Sequence, residues 1–526
     1  MVKIENPALE HAAPEEVGIK SSDIQAFIDE INAKNLELHS FMIVRHDKIC
    51  AACYWDPYGP DTPHVLYSMS KSITATAAGF ALDEGLLQLD DPVYKFFPEY
   101  NVQSARNRSI TVRMLLTMRS DKLITVLDEK GKTDWVKNFF KAPFFCAPGK
   151  KFNYISENTF MLSAVISKVT GKSVLDYLDE KMFQPLGIEK PFWETDGKGN
   201  NAGGWGLYMK TEDLAKFFLP YLHGGKYKGV QLLPEKWAKA AVSKQCDNLK
   251  TGYRDNTCGY GFNFWRCHVP DTYRAEGLLA QRCMFFPKYD AMVVFTAGHC
   301  KDYEVMDVFW KHFPACFGSD PLPENAAAHT ALQQTAAACR MEDLPTMPRQ
   351  SALEKRVAGK TMRCKTNAYT SVISVSVVQM LYDKPGKISA MRLDFDDDGL
   401  LFTWKERGYE NTLRAGMDGR YRVSEIAFGD LHFHAYSKAA WTTDGRLQLW
   451  IRPVETAHVR KLTFTFTANG AKVANTSQPK MGDLAVFYIV FSGIVLSPAM
   501  ERIVQGVVRT IGLPLVEPNL RGRFID

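Results

Sequence analysis

The hydrophobic pattern of this chain changes period twice within its first 315 residues, and that change limits the fold most. Two apolar runs, 38-LHSFMIVR-45 and 49-ICAACYW-55, read as strands joined by a hairpin at His46-Asp47-Lys48. From about residue 72 to 240 the pattern is helical, as in 111-TVRMLLTM-118, 157-ENTFMLSAVISKVTG-171 and 211-TEDLAKFFLPYLHGG-225, the last closing on paired glycines. Strand signals return in 259-GYGFNFWRC-267, 279-LAQRCMFFP-287 and 291-AMVVFTAG-298, followed by a helix, 302-DYEVMDVFWKHF-313. An N-terminal helix over residues 22–33 is expected to be capped by Ser22, with Ile24, Phe27, Ile28 and Ile31 on one face. One sheet carrying an all-helical insertion satisfies this order.

A chain of 526 residues exceeds what one hydrophobic core usually serves. Prolines at 321, 323, 345 and 348 flank an Ala/Gln/Thr-rich helix and mark a boundary. Beyond it, VISVSVVQMLY, AMRLDF, LLFTW, LHFHAY, LQLWIRPV and KLTFTFT alternate with turns containing Asp-Gly or Pro-Gly, which predicts an antiparallel β domain. The expected division is 1–316, a linker with a short helix at 317–350, a β domain at 351–475 and a tail at 476–526 with no assigned structure. The class is α+β.

A net charge of +5, from 64 basic and 59 acidic side chains without a basic block, gives no footprint for nucleic acid. The polar N-terminus lacks an apolar signal core, and the eleven scattered cysteines suit a reducing compartment, so a cytoplasmic location is expected. The apolar run from Leu484 to Leu496 is too short to span a bilayer. Cys50 and Cys53 form a CxxC inside a strand-like stretch, without the second pair that a zinc site needs. Asp394, Asp396, Asp398 and Gly399 resemble half an EF-hand loop, but Lys405 stands where a bidentate glutamate is required; a hairpin turn fits better. His432 and His434 share a strand face without a third ligand. No metal or organic cofactor is expected.

The chemistry concentrates in 67-YSMSKSITATAAGFALDEGLLQLDDPV-93. Ser68 and Lys71 are three apart, hence on one helix face, where an amine can reach a serine hydroxyl. Serine needs such a base, and lysine supplies one only when burial or a neighbouring cation depresses its pKa. Alone, the S-x-x-K match is unspecific, and Ser70 reads equally as a helix cap. The whole run, with 109-SITVRMLLTMRS-120, 147-APGKKFNYISENTFMLSAVISKVTGKSVLDYL-178, 203-GGWGLYMKTEDLAKF-217 and 259-GYGFNFWR-266, resembles the serine β-lactamase and penicillin-binding-protein-like hydrolases. It is most similar to the branch with class C β-lactamases, family VIII esterases, D-aminopeptidases and 6-aminohexanoate-dimer hydrolase, over roughly residues 10–315.

That resemblance implies a β-lactamase-like domain with Ser68 as the acylated nucleophile and Lys71 as its partner. The second family motif, Tyr-x-Asn, reads Tyr154-Ile155-Ser156 here. Tyr154 is then the second base or proton shuttle, a phenol that a cationic lysine helps to ionise or to pass a proton. Ser156 replaces asparagine; it can still bond Lys71 but lacks an amide carbonyl. The third motif matches Ala275-Glu276-Gly277, without its usual cation, and Glu276 is expected to repel an anion there. Gly277 is expected to let substrate backbone approach, and the N–H groups of Ser68 and Leu278 to form the oxyanion hole. Gln281 faces either the site or the core, and Trp205, Tyr208, Tyr260 and Trp265 line an acyl pocket or pack internally.

The expected activity is therefore an acyl-enzyme serine hydrolase acting on a small ester, amide or peptide rather than a β-lactam. Three alternatives stay open: a D-amino-acid-specific peptidase or acyltransferase on the same machinery, a catalytically weak binding or assembly module, and an exported cell-wall enzyme, which the N-terminus disfavours. No nucleic-acid partner or membrane span is expected, and self-association is left open.

Overall fold

The computed structural model describes residues 4–123, 133–250, 252–318, 321–365, 370–373, 386–429, 431–480, 498–507, 510 and 519–525. The chain divides into two compact units, one running to Cys339 and the other starting at Arg340.

The first unit is built on a seven-stranded sheet. Its strands run in the order Glu10–His11, Lys48–Tyr54, Leu38–Arg45, Ala291–Ala297, Gln281–Phe286, Tyr273–Gly277 and Trp265–Arg266. Every residue of Leu38–Arg45, Gln281–Phe286 and Ala291–Ala297 is buried, so both sheet faces are covered, which explains why these strands are mainly apolar without strict alternation. The pairings are antiparallel except at one edge, where Glu10–His11 runs parallel to Lys48–Ile49, so the sheet is mixed. On one face the helices Ser21–Ala33 and Asp302–His312 meet through aromatic rings, with Phe27 5.7 Å from His312 and 6.4 Å from Phe309. Ser22 does not cap the first helix. It begins one residue earlier, and the buried Glu15 carboxylate accepts the Ser21 N–H and hydroxyl at 2.8 and 2.9 Å. The helix of the expected linker, Ala326–Ala338, packs on Ser21–Ala33 and on the strand Lys48–Tyr54.

The inserted block covers the other face. It is mostly helical but not wholly so: the short strand His64–Val65 pairs with Tyr208–Met209, and Lys226–Tyr227 with Val230–Gln231. The first of these pairs holds the chain just ahead of Ser68. Helix Ser70–Asp83 lies in the middle of the block, buried almost all round. Its small residues let neighbours come close, and a Cβ on Gly79 would sit 2.4 Å from the Trp237 indole. Most of its hydroxyls are spent on backbone carbonyls, Ser72 on Asn263 at 2.6 Å and Thr74 on Gly203 at 2.8 Å, while the buried Ser70 hydroxyl has no partner among the described residues.

The second unit is a ten-stranded antiparallel sheet curled into a near-barrel, which makes the whole chain α+β. Its two end strands, Tyr409–Ala415 and Arg422–Phe428, meet across a seam bridged by Asn411, whose amide donates to the Ala427 carbonyl at 3.0 Å and accepts its N–H at 2.9 Å. A strand from the expected tail, Leu520–Phe524, inserts between Thr361–Lys365 and Gly470–Gln478. The expected strand 372–382 lies mostly outside the described residues, as does the apolar run 484–496. The EF-hand-like stretch is a hairpin turn between Ile388–Asp396 and Gly399–Glu406. His432 and His434 each bond a separate carboxylate, Glu425 at 2.5 Å and Glu455 at 2.6 Å. Among the described residues no cluster could hold a metal ion, and no helix is long and apolar enough to cross a membrane.

Candidate active site

Ser68 sits in a tight 3-10 turn, Tyr67–Met69, and the α-helix starts only at Ser70. Tyr67, bulky and buried, adopts a left-handed φ of 46°. Such a conformation is costly for a side chain of this size and is held only by its surroundings. It bends the chain sharply from strand into helix and leaves the half-buried Ser68 at the apex. Ser70, by contrast, is fully buried and is not a cap.

Lys71 is 1% exposed. Its Nζ lies 2.8 Å from Ser68 Oγ, 3.0 Å from Ser156 Oγ and 2.7 Å from the Gly204 carbonyl. Burial lowers its pKa from 10.5 to about 7, partly opposed by the buried Glu157 carboxylate. The carbonyl can only accept, so one amine N–H is committed to it. A neutral Lys71 keeps a lone pair for the Ser68 hydroxyl.

Tyr154 arrives on a segment braced at several points. The Gly149 N–H donates to the Arg119 carbonyl at 2.8 Å, and the Asn153 N–H to Met118 at 2.8 Å. The buried Asp121 carboxylate accepts the N–H groups of Lys150 and Lys151 at 3.2 and 3.3 Å. The Tyr154 phenol is hydrogen-bonded to Ser68, and its ring faces Lys71 with Nζ 5.0 Å from the centroid. Burial pushes the phenol well above its ordinary pKa, a pull that the Ser68 hydrogen bond only partly offsets. Desolvation therefore outweighs the Ser68 hydrogen bond and the Arg282 charge, and the phenol is harder to ionise than a solvated one. Ser156 opens the helix Ser156–Thr170 beside Lys71.

Gly277 ends the strand Tyr273–Gly277, but its lack of a side chain serves the protein's own backbone. A Cβ there would lie 2.1 Å from the Leu66 carbonyl oxygen, so the glycine is needed to admit the chain leading to Ser68. Leu278 follows, half-buried, in a three-residue turn whose Leu279 and Ala280 both have left-handed φ, 63° and 67°. Gln281 braces that turn and does not face the site. Its amide donates to the carbonyls of Leu278 at 3.0 Å and Ala297 at 2.7 Å and accepts the Ala297 N–H at 3.0 Å. Ala275 is fully buried. Glu276 is ion-paired with Arg274 and, at 3.4 Å, with Arg282, so its charge is partly offset, though it still opposes ionisation of the Tyr154 phenol.

The four aromatics flagged in the sequence are all buried packing residues. Tyr260 and Trp265 back Tyr154, the Trp265 ring 5.2 Å from it, while Trp205 lies 5.8 Å from Trp135 and Tyr208 5.6 Å from Phe192. The sequence reading missed the Gly204 carbonyl as a partner of Lys71. The paired glycines of 203-GGWG-206 were its only trace: a Cβ on Gly204 would come within 2.8 Å of the Ser156 carbonyl oxygen. Arg282 and Asp121 carried no local signal.

Residues 24–299, just over half of the chain, match the β-lactamase family model. The 6-aminohexanoate-dimer hydrolase of Paenarthrobacter ureafaciens is 22% identical over 222 residues, 39% of this chain and 57% of that protein. Protein flp of Staphylococcus aureus is 26% identical over 167 residues, 30% of this chain and 34% of its own length. The match thus spans about half or less of these two curated relatives. A Bacillus anthracis structure, provisionally named a 6-aminohexanoate-dimer hydrolase, superposes with a TM-score of 0.50 at 17% identity, over 60% of this chain and 89% of that one. This likeness is one of fold. The chain belongs to the β-lactamase family, whose members of this type are serine hydrolases.

Proposed function

We propose that the protein is a serine hydrolase that cleaves a small, uncharged ester, amide or peptide through an acyl-enzyme on Ser68. The observation that carries this reading is the 2.8 Å approach of Ser68 Oγ to a buried lysine whose pKa lies at about 7. An amine of that pKa is neutral for much of the time at physiological pH and accepts the serine proton as Oγ attacks. Tyr154, kept protonated by burial, gives its proton to the leaving group and is re-protonated by way of Lys71. Water then attacks the acyl-enzyme with the same groups in reverse. The N–H groups of Ser68 and Leu278 receive the oxyanion; neither has a hydrogen-bond partner among the described residues.

The preference for an uncharged substrate rests on the third motif. Position 275 is a buried alanine, and the nearby Arg274 and Arg282 are paired to Glu276 and Asp302, leaving neither for a substrate carboxylate. The relatives named for a 6-aminohexanoate dimer place linear amides among the substrates to try.

The test compares wild type with Ser68→Ala, using a fluorophosphonate probe, a panel of p-nitrophenyl esters, amino-acid p-nitroanilides of both hands and linear amides. Wild type is expected to label and turn over, and Ser68→Ala to do neither. Equal labelling and turnover by the two would overturn the assignment.

A further inference from the structure

The peptide joining Gly277 to Leu278 has two ends with different tasks. Its N–H, on the half-buried Leu278, has no hydrogen-bond partner among the described residues. Its carbonyl, on Gly277, accepts a hydrogen bond from Arg282 Nη1 at 2.9 Å. The same nitrogen donates to the Gln281 carbonyl at 2.9 Å, and Nη2 reaches Asp302 at 2.6 Å and Glu276 at 3.4 Å. The Arg282 side chain is 3% exposed. Arg282 lies directly opposite Glu276 in the ladder between Tyr273–Gly277 and Gln281–Phe286, one strand away from the peptide it holds. The Leu66 carbonyl oxygen stands where a Gly277 side chain would begin, so this peptide adjoins the turn that carries Ser68.

In a trans peptide the C=O and N–H point in opposite directions and share one delocalised system. A guanidinium on the carbonyl therefore fixes the plane, hence the N–H direction, and draws electron density away from that N–H. Charge-assisted bonds of this kind are roughly twice as strong as neutral ones, and buried ones polarise their neighbours. Ala275 offers no charge on this strand, and Arg274 is turned toward Glu276 and the Asn256 amide. Arg282 is also close enough to act on the Tyr154 phenol, in the sense opposite to Glu276.

We propose that Arg282 is a positioning residue for the oxyanion site: its guanidinium orients and polarises the Gly277–Leu278 peptide so that the Leu278 N–H stabilises the tetrahedral intermediate. This rests on the reading of Ser68 as nucleophile and Leu278 as oxyanion donor. Asp302 and Glu276 in turn hold the guanidinium in place.

The test pairs an activated oxoester with its thionoester for wild type, Arg282→Lys and Arg282→Met, with Ser68→Ala as control. A developing thiolate accepts hydrogen bonds poorly, so a weakened oxyanion donor penalises the oxoester selectively. Arg282→Met is expected to lower oxoester kcat/KM by roughly 10- to 100-fold, with a much smaller change for the thionoester. Arg282→Lys, which keeps the charge but not the fork, should show the same selective loss in weaker form. Thermal melts check folding; if Arg282→Met does not fold, Arg282→Lys decides. Equal losses on both substrates, or none, overturn the role of Arg282 while leaving the nucleophile in place. Turnover by Ser68→Ala would instead overturn the reading beneath it.

Discussion

At the scale of single residues, the most consequential fact is that Lys71 is buried rather than merely near Ser68. Spacing placed the two on one face, but spacing alone leaves the lysine cationic and useless as a base. Burial shifts its pKa to about 7, so the neutral amine predominates above that value and vanishes below it. We expect kcat/KM to rise about tenfold per pH unit below pH 7 and to level off above it. A profile flat from pH 5 to 8 would show that no group of this pKa limits acylation. The same shift bears on stability. Between about pH 7 and 10.5 the unfolded lysine holds a proton that the folded one has lost, so this residue favours the folded state increasingly as pH rises. The raised pKa of Tyr154 goes against easier ionisation, one of the two roles the sequence left open, because its desolvation exceeds the help from its neighbours, and is compatible with the other, passing a proton.

Among elements, the turn between Tyr273–Gly277 and Gln281–Phe286 does the most with the least sequence signal. Two consecutive non-glycine residues with left-handed backbone are held there by Gln281. The chain read in one dimension left Gln281 equally suited to site or core, since strand side chains alternate and the sequence does not state which face is which. Replacing it by methionine keeps the volume but leaves the Ala297 N–H and several carbonyls buried without partners. We expect a loss of about 2 kcal/mol, near the cost of an unmet buried polar group, read from denaturant midpoints. A change within error would mean that the turn holds without this brace.

Over the whole first unit, ion pairs tie elements distant in the chain. Glu30 receives Lys311 and His312 from the helix Asp302–His312, and its pKa falls to about 2, chiefly through Lys311. Asp290 receives His223 at 2.7 Å and His46 at 2.9 Å, and its pKa also falls to about 2, chiefly through His223. Carboxylates held low stabilise the fold above their unfolded pKa values, 4.5 and 3.8, and lose that contribution as pH falls through about 2. His223 is raised above 6.5 by Asp290, so its share is complete below 6.5 and is lost as pH rises through the higher folded value. The Tm difference between wild type and Asp290→Asn is therefore expected to be largest near pH 5 and to shrink toward both pH 2 and alkaline pH. Parallel melting curves at all pH values would exclude this account.

The sequence by itself determined the class of the molecule. Its switches between period-two and helical patterning and its proline-flanked boundary announced a sheet with a helical insertion and a following β domain, and the resemblance of its motifs is what singles out Ser68, Lys71 and Tyr154 as the residues proposed for chemistry. These signals are local: each depends on residues within one or two turns of each other. What the tertiary structure alone decided was which distant backbone and charged groups stand around them. The Gly204 carbonyl reaches Lys71 across 133 positions, Leu66 fills the space left by Gly277, and Arg282 holds a peptide in the neighbouring strand. Backbone atoms carry no residue identity, and desolvation depends on what surrounds a group in space, so neither the lowered pKa of Lys71 nor the raised one of Tyr154 could be read along the chain.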